Sequence, residues 1–289
     1  MSYKNFIFGL VIVLCVSACG SDNSETVSNS TVAPAQEQNT TSYDSCIEVE
    51  GLQRCWNLQT PEVASDVDQP LVIDLHGFTS SPVRQKEISG FAELGETEGF
   101  IVAWPKGIST SWNAGQACCG VAVKSDIDDV AFLSEMIDKL VKDQTVDSKR
   151  IYLTGLSNGC AMSQRLASEL SNKVTAVACM AHFLLTDISP DYKAIPIMQL
   201  HGTSDDIVPY SEADDNFQNW VSINGCEGFA VTKEGSSNKI TSKYTQCDND
   251  SEVVFITIKE GGHGLYKDLA TDVDTTLTAW NFLKEHTKK

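Results

Sequence analysis

The sequence predicts an α/β protein: a mostly parallel central sheet covered by helices on both faces, in a single domain. Three observations predict this fold. Short strand-forming runs alternate with helix-like segments, which is typical of a parallel sheet. One of these runs leads into the turn Gly155-Leu156-Ser157-Asn158-Gly159. About 245 residues follow a polar N-terminal region, which is enough for one large domain.

The elements follow one another in a regular order. Runs rich in Val, Ile and Leu predict strands, and amphipathic runs with helix-forming residues predict helices. We predict strands at residues 71–75, 100–104, 151–154, 174–178, 195–200 and 253–258. We predict helices at residues 85–98, 126–141, 160–170, 213–224 and 275–284. The sequence contains no internal repeat and no glycine spacing that would hold a nucleotide phosphate.

The serine turn predicts a nucleophile. Ser157 lies between a strand and a helix, and so sharp a turn strains its backbone and holds its hydroxyl above the edge of the sheet. Small residues are needed on either side because strand and helix pass close together. The alternative is a serine in an ordinary glycine-rich turn, which the flanking strand and helix disfavour.

A serine nucleophile needs a histidine base, and this arrangement places an acid between the two in sequence. His263 fits, because it lies in Gly261-Gly262-His263-Gly264, just after the predicted strand at residues 253–258. The other four histidines fit less well. His76 precedes the serine, and His286 lies near the charged C-terminus. His182 and His201 follow the serine too closely to leave a good place for the acid.

Two adjacent aspartates, Asp205 and Asp206, follow the predicted strand at residues 195–200. Either lies at the expected sheet edge, but neighbouring side chains in a turn point in different directions, so only one can reach the imidazole. We favour Asp205 as the acid, with Asp206 solvated or capping the turn. This preference rests in part on the family resemblance described below.

Acyl transfer also needs donors for a developing oxyanion. We expect one from the backbone N–H of Asn158 and the other from Phe78, in the loop that follows residues 71–75. His76, in the same loop, is expected to be a hydrogen-bonded structural residue. Trp112 lies in a long loop on the catalytic side. It either lines an aromatic or sugar-binding cleft or packs in the core.

Three acidic residues, Asp126, Asp128 and Asp129, precede a hydrophobic helix-like run. A metal site is conceivable there, but acidic residues at the start of a helix usually cap it and interact with its dipole. Zinc is also disfavoured, because the cysteines and histidines lack the usual spacing of zinc ligands. We therefore predict no metal and no cofactor.

The N-terminus has the layout of a secretory signal. Lys4 precedes an apolar run at residues 6–16, which is too short to span a bilayer, and Ala18-Cys19 resembles a lipobox. We expect a lipoprotein signal at 1–18, a disordered tether at 19–42 beginning at lipidated Cys19, and a catalytic domain at 43–289. A plain signal peptide is the alternative. With a lipidated Cys19 the protein is expected to be an outer-membrane or cell-surface lipoprotein, and otherwise to be periplasmic or secreted.

Without Cys15 and Cys19, eight cysteines remain, and an even number in an exported chain favours disulfides. Two pairs bracket short segments and are placed to bond. Adjacent cysteines do not bond each other easily, so one of the Cys118-Cys119 pair is expected to reach Cys160. Cys179 is expected to be a free buried thiol. The bracketing pairs are Cys46 with Cys55, across a hairpin, and Cys226 with Cys247, across a polar excursion.

The charge is strongly negative, with 21 basic and 39 acidic side chains and a net charge of −18. Removal of the predicted signal takes away one lysine and leaves −19. Such a surface disfavours nucleic acid and other polyanions as partners. We expect a neutral small-molecule or oligomeric substrate, a monomer, and membrane contact only through the N-terminal lipid.

Nine short motifs follow one another in a fixed order along the chain. They are Leu75-His76-Gly77, Trp104-Pro105-Lys106-Gly107, Ser111-Trp112-Asn113-Ala114-Gly115, Cys118-Cys119-Gly120, Asp128-Asp129-Val130-Ala131-Phe132, Gly155-Leu156-Ser157-Asn158-Gly159, His201-Gly202-Thr203-Ser204-Asp205, Asn224-Gly225-Cys226 and Gly261-Gly262-His263. Together they resemble the polyhydroxybutyrate depolymerase and feruloyl esterase group, carbohydrate esterase family 1, including its exported lipoprotein members. The resemblance covers residues 71–284 and implies the α/β-hydrolase fold.

The resemblance implies Ser157 as nucleophile, Asp205 as acid, His263 as base and a disulfide between Cys226 and Cys247. The chain departs from the family pattern after the base, where Gly264-Leu265-Tyr266 replaces the usual Trp-Pro. It also departs at Cys160, where many members have Gly, and at Phe78. The first departure concerns the rim of the site and therefore the substrate more than the catalysis.

The resemblance thus implies an exported serine esterase that hydrolyses carboxylic esters through an acyl-enzyme. Feruloyl or acetyl esters of polysaccharide and short polyhydroxyalkanoate esters are both compatible substrates. The alternative is a tethered, non-catalytic binding protein on a hydrolase scaffold. The presence of serine, acid and histidine in the expected order disfavours that alternative, since the fold alone does not require all three.

Overall fold

The computed structural model describes residues 42–62, 67–116, 118–228, 230–234, 238–268 and 273–289. Ser42–Lys289 forms one compact unit. The predicted signal at 1–18, Cys19, and the predicted tether up to residue 41 lie outside the described residues. None of the described helices is both long enough and apolar enough to cross a membrane.

A sheet of ten strands runs through the described part of the chain. In space the strands follow the order β1-β2-β4-β3-β5-β6-β7-β10-β9-β8. Neighbours from β4 to β10 in this order pair in parallel, and the pairs at both margins are antiparallel. The strands are β1 (Ser45–Val49), β2 (Leu52–Gln59), β3 (Gln69–Leu75), β4 (Ile101–Pro105), β5 (Val146–Gly155), β6 (Ala176–Met180), β7 (Ile197–Gly202), β8 (Val231–Glu234), β9 (Lys239–Tyr244) and β10 (Val253–Ile258). Two further short strands, β11 (Lys267–Asp268) and β12 (Val273–Asp274), pair with each other.

Helices cover both faces of this sheet, so the predicted fold is confirmed. On one face, α4, α5 and α6 bury side chains such as Phe132, Leu166 and Trp220. On the other, α2 and α7 bury Phe91 and Trp280. The described helices are α1 (Pro82–Ser89), α2 (Phe91–Glu98), α3 (Gly120–Lys124), α4 (Asp129–Asp143), α5 (Asn158–Glu169), α6 (Tyr210–Ile223) and α7 (Thr275–Leu283).

Some predicted elements differ from those observed. The helix predicted at residues 85–98 is two helices, because Gly90 between them has a φ of 75°, a left-handed conformation that ends the first helix. The helix predicted at 126–141 begins only at Asp129, and the short α3 precedes it. The polar segment between Cys226 and Cys247 contains β8 and β9, which have too few apolar side chains to be recognised as strands.

Four disulfides link the described cysteines. Cys46 bonds Cys55 across the β1–β2 hairpin, and Cys226 bonds Cys247, as expected. The other expected pairings are wrong. Cys118 bonds its neighbour Cys119, whose Cα lies only 3.0 Å away because the peptide bond between them is cis. Cys160 on α5 instead bonds Cys179 on the adjacent β6, so Cys179 is not a free thiol.

Candidate active site

Ser157 lies in the turn between β5 and α5, with a φ of 55° and a ψ of −123°. This backbone conformation is rare for a residue with a side chain and is typical of a nucleophile held at a sharp strand-to-helix turn. The Ser157 N–H donates to Met180 O at 2.8 Å, which ties the turn to the end of β6. The serine therefore sits at the carboxyl edge of the parallel strands.

Glycines make this turn possible. A Cβ on Gly155 would lie 2.7 Å from Leu75 O, and one on Gly159 would collide with the same backbone oxygen at the end of β3. A Cβ on Gly77, in the next loop, would lie 3.5 Å from the Ser157 Cβ. The loop after β3 is thus packed directly against the serine turn.

Asp205 and His263 contact each other at the same edge, from the loops after β7 and β10. His263 Nδ1 lies 2.8 Å from Asp205 Oδ2. An ionised carboxylate only accepts hydrogen bonds, so Nδ1 carries a hydrogen and Nε2 is the nitrogen left free to accept a proton. Among the described residues Ser157 Oγ has no hydrogen-bond partner, and a contact between such a hydroxyl and a histidine commonly tightens only when substrate binds.

Backbone donors hold the Asp205 carboxylate. Its Oδ1 accepts from Ile207 N at 2.9 Å and from Val208 N at 2.8 Å. Burial is the largest single influence on the pKa of Asp205 and raises it, because it opposes ionisation. The hydrogen bonds from Val208, His263 and Ile207 together outweigh burial, so the pKa of this carboxyl lies below its ordinary value. Asp206 is exposed to solvent and makes no contact with His263.

Two backbone N–H groups have no acceptor among the described residues: that of Asn158, which follows Ser157, and that of Phe78, which follows Gly77 in the loop packed against the serine turn. His76 orders the loop that carries Phe78, because its Nδ1 donates to Gly77 O at 2.8 Å and its Nε2 accepts from Gly107 N at 3.0 Å. Burial lowers the pKa of His76 to about 4, so it stays neutral. It is a structural residue, as the sequence suggested.

Residues 123–246 match the Phospholipase/Carboxylesterase family, a range that contains Ser157 and Asp205. An acetyl xylan esterase from Aspergillus awamori has the same fold, with a TM-score of 0.60, over 73% of this chain and 89% of that chain, at 14% identity. The chain has the α/β-hydrolase fold. The resemblance found in the sequence is therefore confirmed at the level of the fold and its relatives.

Three curated proteins are similar to this chain in sequence. A feruloyl esterase B of Piromyces equi is 29% identical, over 68% of this chain and 40% of its own length. A bifunctional acetylxylan esterase/xylanase of Neocallimastix patriciarum is 25% identical, over 76% of this chain and 31% of its own length. A poly(3-hydroxyalkanoate) depolymerase C of Paucimonas lemoignei is 25% identical, over 74% of this chain and 59% of its own length. The chain thus spans less than two thirds of the length of each of these relatives.

Two histidines near the Asp205–His263 pair were not assigned to the site from the sequence. His201 Nε2 lies 3.2 Å from Asp205 Oδ2, and its side chain is fully buried. His182 follows β6 and is also buried; its Nδ1 accepts from Phe183 N at 2.9 Å. Burial above all, and then the proximity of His263, lowers the pKa of His182 to about 4. His201 lies near the end of β7, and His182 follows the end of β6. Because the parallel strands all end at the same edge of the sheet, these positions could have placed both histidines near the site.

Trp112 does not line a cleft, contrary to one of the two roles open from the sequence. It is fully buried, and its indole N–H donates to His76 O at 2.9 Å. Its backbone N–H and C=O pair with the side-chain amide of Asn158 at 2.8 and 3.1 Å. Trp112 therefore packs behind both the Phe78 loop and Asn158, where substrate cannot reach it.

The three aspartates near the start of α4 have separate structural partners. Asp128 caps the helix by accepting from Ala131 N at 2.8 Å, as predicted. Asp129 is buried and pairs with Arg54 at 2.5 Å, which joins α4 to β2. Asp126 Oδ1 accepts from Asn113 Nδ2 at 3.3 Å. Across the described residues, no group of three or more acidic, cysteine or histidine side chains is placed to hold a metal ion.

Proposed function

We propose that this α/β-hydrolase is an exported serine esterase that cleaves carboxylic ester bonds through Ser157, His263 and Asp205. One observation carries the proposal. The strained turn that presents Ser157 and the hydrogen-bonded Asp205–His263 pair occupy the same edge of the parallel sheet. The chain order serine, aspartate, histidine is that of the nucleophile, acid and base in this fold.

The hydrogen-bond pattern defines the proton transfers. His263 Nδ1–H is bound by Asp205, so Nε2 is the nitrogen that takes the proton from Ser157 Oγ as the oxygen attacks the ester carbonyl. The imidazolium formed is stabilised by the adjacent carboxylate. His263 then protonates the leaving alcohol, and the acyl group remains on Ser157. Water activated by the same Nε2 releases the acid and restores the serine.

The unpaired N–H groups of Phe78 and Asn158 are the oxyanion donors in this proposal. Neither has an acceptor among the described residues, so both can donate to the tetrahedral oxyanion without first breaking a bond. Donors already in place contribute most where charge develops in the transition state. Because Asn158 also binds the backbone of Trp112 through its side chain, its own backbone is held firmly in position.

For the substrate we propose esters of the kinds that the relatives' names indicate: feruloyl or acetyl esters of polysaccharide, or short polyhydroxyalkanoate esters. The burial of Trp112 removes the aromatic residue that would have favoured a ferulate pocket. Phe78 is 44% exposed and remains as an aromatic surface beside the serine. Export is supported by the disulfides, which persist in oxidising compartments.

The test of this function is Ser157→Ala in purified protein of residues 43–289. We expect hydrolysis of p-nitrophenyl acetate to fall at least about 10⁴-fold, because no other described group replaces the nucleophile. The thermal midpoint should stay close to that of the wild type. A panel with p-nitrophenyl butyrate, methyl ferulate and 3-hydroxybutyrate oligomers then distinguishes the substrate classes.

A fluorophosphonate probe supplies the control, since Ser157 Oγ displaces fluoride from phosphorus and stays covalently labelled. Wild-type protein should be labelled and Ser157→Ala should not. Full esterase activity in the alanine variant would overturn the mechanism. Wild-type protein that neither hydrolyses the panel nor takes the label would favour the non-catalytic binding protein.

A further inference from the structure

We infer that Tyr266 is a positioning residue of the active site: its hydroxyl closes the turn that carries His263 and so holds the base where it meets Asp205. This inference rests on the proposed function, because it concerns the same base. Tyr266 belongs to Gly264-Leu265-Tyr266, the segment in which this chain departs from the family pattern. The departure therefore changes how the base is held.

The hydroxyl of Tyr266 donates to Gly262 O at 2.5 Å. Gly262 directly precedes His263, so this hydrogen bond joins the two ends of the turn at residues 262–266 with the base inside it. Burial, and then the charge of Asp205, raises the pKa of Tyr266. The phenol therefore keeps its hydrogen at neutral pH and donates it to a carbonyl oxygen, which can only accept.

A glycine makes room for this hydroxyl. A Cβ on Gly261 would lie 2.7 Å from Tyr266 Oη and 3.1 Å from Tyr266 Cζ, which is too close for either contact to survive unchanged. Any side chain at Gly261 would therefore push the phenol away from Gly262 O. The hydrogen bond depends on the small residue at the start of the turn as well as on the tyrosine at its end.

The chain before the base is joined to the loop that carries the acid. Ser204 N donates to Gly261 O at 2.8 Å, and Glu260 N donates to Thr203 Oγ1 at 2.9 Å. Both hydrogen bonds lie on one side of the base. On the other side, the backbone groups of residues 263–265 have no hydrogen-bond partner among the described residues. The tyrosine hydroxyl therefore supplies the restraint that the backbone of this turn lacks.

The backbone of Tyr266 is itself anchored to α7. Thr275 N donates to Tyr266 O at 2.9 Å, and Tyr266 N donates to Thr275 Oγ1 at 3.1 Å. Thr275 Oγ1 also donates to Tyr266 O at 3.0 Å. Thr275 is the first residue of α7 and is buried, and Trp280 of the same helix lies in the core. The core thus fixes the tyrosine, and the hydroxyl connects the turn to that fixed point.

The imidazole of His263 depends on this restraint. Among the described residues its ring has one hydrogen bond, from Nδ1 to Asp205 Oδ2. One such bond lets the ring pivot whenever its own backbone moves, so the distance from Nε2 to Ser157 depends on the turn. A displacement of about 1 Å at a reacting group can cost about 100-fold in rate. Tyr266 therefore acts through the base.

A matched pair of tyrosine variants tests the inference. Tyr266→Phe removes the hydroxyl and keeps the ring. The control is Tyr152→Phe, because the Tyr152 hydroxyl also donates to a backbone carbonyl, His286 O, at 2.6 Å, beyond the far end of α7. The two variants thus lose the same hydrogen bond at different places. We would measure kcat and KM for p-nitrophenyl acetate at 25 °C and the thermal midpoint of each protein.

We expect Tyr266→Phe to lose about 10-fold in kcat, with KM within about twofold of the wild type, because the base acts in the transition state and does not bind the substrate. Tyr152→Phe should keep kcat within about twofold. Both variants should lower the thermal midpoint, since each loses one hydrogen bond. A loss of kcat confined to Tyr266→Phe separates positioning of the base from stability alone.

A spectroscopic measurement tests the same inference without catalysis. In protein labelled with ¹⁵N-histidine, the Nδ1–H of His263 is protected from exchange with water by its bond to Asp205. Its exchange should be at least about 5-fold faster in Tyr266→Phe, because the turn opens more often. In Tyr152→Phe the exchange rate should equal that of the wild type.

A wild-type kcat in Tyr266→Phe, or an unchanged exchange rate, would overturn the inference and reduce Tyr266 to a packing residue. Wild-type protein that neither hydrolyses ester nor takes the fluorophosphonate label would overturn the proposed function, and the exchange rates would then decide the role of Tyr266 alone. If Tyr266→Phe does not fold, Thr275→Val takes its place, because it removes the hydroxyl that holds the backbone of Tyr266. It should also speed the exchange, and an unchanged rate would overturn the inference.

Discussion

The carboxylate of Asp205 receives N–H donors from two parts of the chain: its own turn and the loop after β10. Its neighbour Asp206 points into solvent. One peptide unit therefore separates a carboxylate with three donors from one without any of those contacts. The difference is geometric, since the two side chains have the same chemistry.

Asp205→Asn should lower kcat for p-nitrophenyl acetate by about 10³- to 10⁴-fold, because an amide in this position no longer stabilises the imidazolium or selects its tautomer. Asp206→Asn is the matched control and should retain activity close to that of the wild type. Steady-state kinetics of the two variants side by side give the comparison. The opposite ranking would move the acid by one residue.

At the scale of elements, the site depends on how closely β3, β5 and α5 approach one another. Leu75 O, at the end of β3, lies where a Cβ of Gly155 or Gly159 would be. The loop after β3 carries Phe78, and α5 begins at Asn158, so this contact helps to fix the distance between their backbone N–H groups, which are the oxyanion donors of the proposed mechanism. A side chain at either glycine would push the loop and the helix apart and would separate these two groups.

Gly159→Ala should therefore cost about 3 kcal/mol or more in the free energy of unfolding, because backbone atoms rather than a flexible side chain must move. Gly264→Ala is the control for stability. A Cβ there has no neighbour within 4 Å, and the change should alter the free energy of unfolding by less than about 0.5 kcal/mol. Urea denaturation of both variants measures the difference, and equal stability would show that β3 can shift away from α5.

For the whole molecule, the dominant property is its excess of negative charge, −18 across the chain. Local ion pairs relieve little of it, since exposed pairs such as Lys139–Asp143 are weakened by the surrounding water. Repulsion between carboxylates therefore opposes the compact state. Disulfides such as Cys226–Cys247, which close a separation of 21 residues, act in the opposite direction by restricting the unfolded chain.

Salt should stabilise the protein at pH 7.5. Raising NaCl from about 0.01 to 0.15 M shortens the screening length from about 30 to about 8 Å and weakens this repulsion. The thermal midpoint should rise by several degrees. The control is the same series near pH 4.5, the isoelectric point of the sequence, where little repulsion remains and the rise should vanish. A midpoint independent of salt at pH 7.5 would show that the surface charges are already balanced locally.

Local chemistry explains why much of the fold was predictable. The buried strands of a parallel sheet are continuous apolar runs, and the run at residues 253–258 was predicted with the bounds of β10 itself. The turn at Ser157 was recognisable because strain, small residues and a following helix leave a signature within a few positions. The required order of serine, acid and histidine along the chain left His263 as the candidate base among five histidines.

Tertiary structure decided what depends on residues distant in sequence. Cys160 and Cys179 pair because α5 packs beside β6, and Trp112 is buried because Asn158 and His76 close over it. Neither contact leaves a local pattern. His201 was set aside because it stands too soon after the serine to act as the base, yet the folded turn returns it to Asp205. Local periodicity and the order of residues can be recognised in a sequence. The hydrogen-bond donors around one carboxylate cannot, because they depend on which strand ends the folded sheet brings together.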